Sequence, residues 1–346
     1  MRVAIVNDMA LAVEGLRRVI ATLSGYSVAW IARNGAEAVD LCARDTPDLI
    51  LMDLVMPVMN GVAATRLIMS RTPCAILVVA AAVGSDSKDV LEALSAGALD
   101  AVQTPTIAAT GMPSDTERLT AKMKIIGRLV VDGNGHSPFG KLKKSPPRCV
   151  SPNVPLVVIG ASAGGPAALS TILSELPSDF PAAVVVIQHI DAQFAPSMAS
   201  WLDKKCALNV RIALEGDTAK TGVALLASTN DHLVFLDSHF LGYKAEPRDC
   251  HYRPSIDVFF QSVATHWKGF VIAVLLTGMG RDGAKGLRAL RDAGVFTISQ
   301  DADSCVVYGM PKAAAELNAA VEILPLDRVA SRLINVLKSE RQRVQK

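Results

Sequence analysis

Short, almost uninterrupted apolar runs alternate along this chain with longer stretches of helical periodicity. In the first 105 residues the runs are Arg2–Val6, Ser27–Ala32, Leu49–Met52, Ala75–Val79 and Asp100–Val102, with helical patterns such as Ala10–Leu23, Ala36–Arg44 and Asp86–Ala96 between them. A second series follows: Leu156–Ile159, Val184–Gln188, Val223–Ala227, Val271–Leu276 and Val295–Ser299. Its helical stretches include Pro166–Leu176, Ala284–Ala293 and Asp327–Lys338. Continuous hydrophobicity marks strands buried on both faces, and strands that alternate with helices build parallel, doubly wound sheets. The expected fold class is therefore α/β, with two doubly wound parallel-sheet domains. The functional edge of each lies at the carboxyl ends of its strands.

Between the two series, Asp132 to Pro155 carries five prolines and three glycines without apolar periodicity, as a linker does. The expected division is residues 1–125, a linker at 126–153, and residues 154–346. Half of the 346 residues are hydrophobic and the mean hydropathy is +0.32, which raises the question of a membrane span. No apolar run reaches the ~18 residues a spanning helix needs, so no membrane insertion is expected. The opening Met1-Arg2-Val3-Ala4-Ile5-Val6-Asn7-Asp8 meets charge too soon for a secretory segment, and a cytoplasmic location is expected. The six cysteines include no CxxC pair, which argues against a zinc knuckle or a disulfide framework. A net charge of +2 without a basic stripe gives nucleic acid little to bind.

Candidate chemistry sits at the strand ends. Asp8 follows the first strand and Asp53 the third, so a parallel sheet brings both carboxylates to one pocket. Such hard oxygen ligands suit Mg²⁺, and a metal beside a carboxylate permits phosphoryl transfer to it. The alternative is that both acids only cap the helices that follow. In the second half, Leu156–Ile159 runs into Gly160-Ala161-Ser162-Ala163-Gly164-Gly165-Pro166, a strand, a glycine-rich turn and a helix opening on proline. That turn lifts Ser162 to the sheet edge beside free helix amides, and Gly160-x-Ser162-x-Gly164 matches a nucleophile elbow. A plain tight turn or a phosphate-binding loop reads equally well from the motif alone. A base for the serine is offered by His189, which ends the next strand, with His232 as a competitor. Asp282, in the glycine-rich loop after Val271–Leu276, is either an orienting carboxylate or the N-cap of the following helix.

The run Met52-Asp53-Leu54-Val55-Met56-Pro57-Val58-Met59-Asn60-Gly61 resembles the phosphoacceptor loop of two-component receiver domains, which have a flavodoxin-like fold. The resemblance covers residues 1 to about 105, including Gly97-Ala98. It implies Asp53 as the phosphorylation site, Asp8 as the main Mg²⁺ ligand, and a histidine kinase as phosphodonor. Three positions depart from the pattern: Asn7 replaces an acid, Ala80 a hydroxyl residue and Thr104 a lysine. They leave open whether phosphorylation is weak, read out differently or absent.

The segments Gly160–Gly165, Gln188-His189, Pro254-Ser255-Ile256-Asp257, Thr277-Gly278-Met279-Gly280-Arg281-Asp282-Gly283 and Cys305–Pro311 resemble the chemotaxis protein-glutamate methylesterases over residues 154–346. The opening and the phosphoacceptor loop look closest to those of Wsp-type surface-sensing systems. The resemblance implies a Rossmann-like catalytic domain with a triad of Ser162, His189 and Asp282, and the Met279 backbone N–H for the oxyanion. It implies hydrolysis of glutamate methyl esters on methyl-accepting chemoreceptors, deamidation of receptor glutamines, and no cofactor for catalysis. The regulatory expectation is that the receiver covers the Ser162 edge and that phosphorylation relieves the block, the Pro/Gly linker permitting the movement. Ala163 stands where the family usually has threonine. A small-molecule carboxylesterase of the α/β-hydrolase class shares the elbow, but its triad runs serine, acid, histidine along the chain. A receiver-linked adaptor without activity is the other rival.

Overall fold

A computed structural model of the chain describes residues 1–80, 87–105, 116–131, 154–248, 250 and 252–344. It falls into two compact units, Met1–Phe139 and Gly140–Lys346. In the first unit the strands are β1 (Arg2–Val6), β2 (Ser27–Ala32), β3 (Leu49–Met52), β4 (Ala75–Ala80) and β5 (Asp100–Gln103). The helices are α1 (Ala10–Ala21), α2 (Gly35–Arg44), α3 (Gly61–Arg71), α4 (Ser87–Ser95) and α5 (Thr116–Val131). The five strands form one parallel sheet in the order β2-β1-β3-β4-β5. Residues Val3–Val6 and Leu49–Met52 are buried throughout, which is why they read as unbroken apolar runs. Leu16, Val19 and Ile20 of α1 and Ile68 of α3 are buried with them. Residues 126–131, placed in the linker by the sequence reading, continue α5, because no proline stops the helix before Pro138. The rest of that stretch, 132–153, lies outside the described residues.

The second unit has a larger sheet. Its strands are β6 (Leu156–Ala161), β7 (Ala183–Gln188), β8 (Asn209–Ile212), β9 (Val223–Leu226), β10 (His232–Phe235), β11 (Leu241–Lys244), β12 (Val271–Leu275), β13 (Phe296–Gln300) and β14 (Glu322–Leu324). Its helices are α6 (Gly165–Ser174), α7 (Ala195–Asp203), α8 (Ile256–His266), α9 (Ala284–Asp292), α10 (Met310–Glu316) and α11 (Leu326–Val344). Seven strands pair in parallel in the order β14-β13-β12-β6-β7-β9-β8, and β10 with β11 makes a separate antiparallel hairpin. A core of Phe235, Phe259, Phe260, Leu287 and Leu290 packs α8 and α9 with the hairpin against one face of the sheet. β6 is central, and the chain leaves it for β7 on one side and returns later to β12 on the other. That reversal is the switch point where open parallel sheets hold their sites. No helix among the described residues is long and apolar enough to cross a membrane. None of the five described cysteines forms a disulfide.

Candidate active site

Ser162 follows the last residue of β6 and is nearly buried, at 7% exposure. Its position is fixed by backbone on both sides. The Ser162 N–H donates to Thr277 O at 3.1 Å, and the Gly165 N–H donates to Ser162 O at 2.7 Å. The Gln188 side chain donates from Nε2 to the same Ser162 carbonyl at 2.9 Å. This close approach requires glycine at 165, where a Cβ would lie 2.0 Å from Gln188 Oε1. On the other side Gly278 touches the serine directly, since a Cβ there would lie 2.7 Å from Ser162 Cβ. Thr277 Oγ1 donates to Ala163 O at 2.9 Å and so ties the loop after β12 to the turn that carries the serine.

His189 begins the loop after β7. The register pairs Ala161 with Gln188, and the His189 N–H donates to Ala161 O at 3.0 Å. Residues 162 and 189 therefore leave adjacent strands at the same level. The imidazole turns Nε2 toward Asp282 Oδ2, 2.8 Å away. Its other nitrogen, Nδ1, is buried with no hydrogen-bond partner. With Asp282 ionised, Nε2 carries the proton and Nδ1 keeps a free lone pair for a neighbouring hydroxyl. Ser162 Oγ makes no hydrogen bond among the described residues. Catalytic contacts of this kind often tighten only with substrate bound.

Asp282 gathers donors from a second element. Ser255 Oγ donates to its Oδ1 at 2.8 Å, and the Ile256 and Asp257 N–H groups donate at 2.7 and 3.1 Å. Those amides open α8, so a carboxylate from the β12–α9 loop sits on the N-terminus of another helix, where the dipole favours negative charge. Burial pushes the Asp282 carboxyl up, but the His189 hydrogen bond and charge, with the two amides, outweigh it and hold the group below the usual carboxylate range. The N-cap of α9 is instead Gly283, without a side-chain cap. Of the sequence alternatives for Asp282, the structure thus shows the one that faces His189. The competitor His232 is fully buried and otherwise engaged. Its Nε2 lies 3.0 Å from Pro247 O, and its Nδ1 accepts the Ser255 N–H at 3.0 Å. It braces the residue that braces Asp282.

The Met279 N–H has no acceptor among the described residues, and the residue is 7% exposed, in the loop that touches Ser162. An unpaired amide one residue beyond Gly278, the residue that touches Ser162, is available to a developing oxyanion. Sequence reasoning gave no role to Gln188, Thr277 or Ser255. Each acts on the backbone or the carboxylate of another loop, and periodicity carries no trace of that.

In the first unit Asp53 is half-buried at the end of β3. Its Oδ1 accepts the Leu54 N–H at 2.7 Å, and its Oδ2 accepts from Asn7 Nδ2 at 2.9 Å. Neither acid caps a helix: Met9 precedes α1, and Asn60 caps α3 by accepting the Ala63 N–H. Asp8 is exposed beside Asn7 in a cleft of about 340 Å³ that Arg17 and Arg33 also line. Asn7 has both ends of its carboxamide engaged, since Oδ1 accepts the Met9 N–H at 2.8 Å. Glu14 and Glu37 line the same cleft as Asp8, while Asp53 lies at the end of the neighbouring strand β3. No group of three His, Cys, Asp or Glu side chains gathers among the described residues. One or two carboxylates with retained waters is a donor set that fits Mg²⁺. Ala80 and Thr104 are neighbours at the same sheet edge, the Thr104 N–H donating to Ala80 O at 2.8 Å. The ammonium of Lys122 is held elsewhere, by Ala101 O and Asp100, each at 2.7 Å.

Comparison with known proteins bears on both units. A model described as CheB methylesterase matches residues 157–333, and one described as response regulator receiver domain matches residues 3–110. A protein-glutamate methylesterase/protein-glutamine glutaminase of Burkholderia thailandensis is 52% identical over 343 residues, covering 99% of each chain. The chain belongs to the CheB methylesterase family. A relative of the same name from Mesorhizobium japonicum is 53% identical over 337 residues, 96% of this chain and 98% of its own. Among solved structures, the Thermotoga maritima CheB methylesterase catalytic domain superposes with a TM-score of 0.50 at 36% identity, covering 52% of this chain and 97% of that one. The receiver-plus-methylesterase layout read from the motifs is the family's own.

Proposed function

We propose that this chain hydrolyses glutamate 5-O-methyl esters on methyl-accepting chemoreceptors, and deamidates receptor glutamines, under control of its receiver unit. The observation that carries the reading is the buried His189–Asp282 hydrogen bond, which leaves an unpartnered imidazole nitrogen at the edge where Ser162 sits. Ser162 Oγ attacks the ester carbonyl while its proton passes to His189 Nδ1. Asp282 fixes the tautomer and balances the imidazolium, and the Met279 N–H meets the oxyanion. The imidazolium returns the proton to the departing methoxide, releasing methanol. Water, deprotonated by the same nitrogen, cleaves the acyl-enzyme to glutamate and free Ser162. With a glutamine side chain the leaving group is ammonia.

In the receiver, an Asp53 oxygen attacks the phosphorus of a phosphohistidine on a chemosensory histidine kinase, and the imidazole nitrogen leaves. Asp8 and Asp53 are the residues that would hold Mg²⁺, which would supply charge neutralisation for the transferred phosphoryl group. A cytoplasmic location is part of this reading, with no helix among the described residues long and apolar enough to cross a membrane. The test is methanol release from methylated receptor membranes. Ser162→Ala or His189→Ala is expected to lower turnover by about 10⁴–10⁶. Near-normal release by Ser162→Ala would remove Ser162 from the role of nucleophile and favour an adaptor.

A further inference from the structure

The His189 ring is held on its open face by a residue that neither the triad nor the oxyanion site includes. The Tyr252 ring lies parallel to the imidazole, with centroids 4.2 Å apart and planes 2° from coplanar. Tyr252 comes from the segment before α8, the same segment that supplies Ser255 and the Ile256 and Asp257 amides to Asp282. Its hydroxyl packs over Gly280 (φ +83°), where a Cβ would lie 2.8 Å from it, so the β12–α9 loop passes close beneath the phenol. One stretch of chain therefore grips both partners of the His189–Asp282 pair.

We propose that Tyr252 is a positioning residue for the esterase reaction, clamping His189 in the rotamer that joins Asp282 to Ser162 and stabilising the imidazolium through its π face. The inference rests on the reading of Ser162 and His189 given above. Three features support it. A parallel stack at this distance leaves both ring nitrogens free in the imidazole plane, one for Asp282 and one for the serine. A buried imidazole held by a single hydrogen bond is otherwise able to rotate about its ring axis, which would break the relay. A cation placed over an aromatic face is favoured over the neutral form, and His189 takes up the serine proton in the reaction, so the stack favours the imidazolium formed in that step. Asp282 is bonded to the imidazole, and the Asp257 N–H donates to Asp282 from behind it.

The test uses the full-length protein with three substitutions. Tyr252→Leu keeps apolar bulk and removes the π face, Tyr252→Ala removes both, and Tyr252→Phe restores the ring without the hydroxyl. The expected result is a fall in kcat of about three- to thirtyfold for Leu and Ala, with KM within about twofold, and recovery in Phe. The stack is read independently of turnover from the His189 ring-proton resonances, assigned by their loss in His189→Gln. They are expected to be shifted upfield by the phenol in wild type and in Tyr252→Phe, and to move downfield in Tyr252→Leu. A kcat for Tyr252→Leu equal to wild type, or ring-proton shifts that Leu leaves unchanged, overturns the proposal. A wild type that shows the ring-current shift but releases no methanol overturns the esterase reading and leaves the clamp standing as geometry.

Discussion

Asp282 receives donors from His189, Ser255 and two helix amides, whereas Asp257, in the first turn of α8, accepts the Gly286 N–H at 2.6 Å and lies within reach of the charge on Asp282. Burial first, then Asp282, raises the Asp257 pKa to about 7 against the opposing pull of the Gly286 and Gly283 amides and Lys285. Unfolded, the same carboxyl ionises near 4. The folded state thus binds this proton more tightly, so its contribution to stability is full below about pH 4 and is lost as the pH climbs to about 7. Asp282 has the opposite sign: its pKa is lowered, so its contribution is present above about 4 and fades only in stronger acid. Asp257→Asn removes the first titration and leaves the Asp282 carboxyl with its own donors in place. The expected outcome is that the urea midpoint of the variant gains on that of wild type between about pH 5 and about pH 8. A difference between the two proteins that is the same at both pH values would mean that Asp257 does not titrate in this window. At this scale Ser162 and His189 could be placed together because each follows a strand end and parallel strands share an edge, and Asp282 because it lies in the loop that leaves the neighbouring strand β12. Tyr252 and Ser255 were quoted or passed over without a role, since only the loop's path after β11 brings them to the imidazole and the carboxylate.

The β6–turn–α6 unit shows how an element constrains the chemistry. Gly165 opens α6 and leaves space for the Gln188 carboxamide, which donates to both Ser162 O and His189 O, at 2.9 and 3.0 Å. A methyl group at 165 displaces that carboxamide, which takes from His189 O its Gln188 donor and leaves Ser162 O with the Gly165 N–H alone, at about 1–3 kcal/mol. Gly165→Ala is therefore expected to lower stability by about that amount and to slow labelling of Ser162 by a fluorophosphonate. Paired urea melts and labelling rates check both, and an unchanged labelling rate would mean that Gln188 does not set the serine. The strands around this unit were readable because burial on both faces leaves no polar position to interrupt them. The elements missed are those where that condition fails. Asn209–Ile212 alternates polar and apolar residues on the sheet edge, and Glu322–Leu324 is a three-residue edge strand. In the β10–β11 hairpin, His232 sits inward and fully buried, so the run reads as polar where the structure is core.

Across the whole chain, the family's two units are present, each with its own sheet, and the open matter is how the receiver's chemistry reaches the esterase. Phosphorylation of Asp53 would replace a carboxylate of charge −1 by an acyl phosphate of about −1.5 to −2, on an edge where Asn7 replaces an acid and Thr104, not a lysine, follows β5. Neutralising one acid makes the edge more tolerant of a phosphoryl group, but the cation that would fix that group is absent at Thr104. The Thr104 N–H bond to Ala80 O places residue 104 at the end of β5 next to β4, and β4 borders the strand that carries Asp53. A lysine there would stand on the Asp53 edge of the sheet. We therefore expect acetyl phosphate to raise methanol release by the wild type only modestly, and Asp53→Asn to abolish that rise while keeping the basal rate. Thr104→Lys should enlarge the response by up to about tenfold, the equivalent of about 1.4 kcal/mol of added preference for the phosphorylated, active state. If Thr104→Lys takes up phosphate as wild type does and responds no more strongly, the missing cation is not what limits the switch. In that case the charge on Asp53 must act through the Asn7 side of the pocket, where the carboxamide already holds the acceptor oxygen.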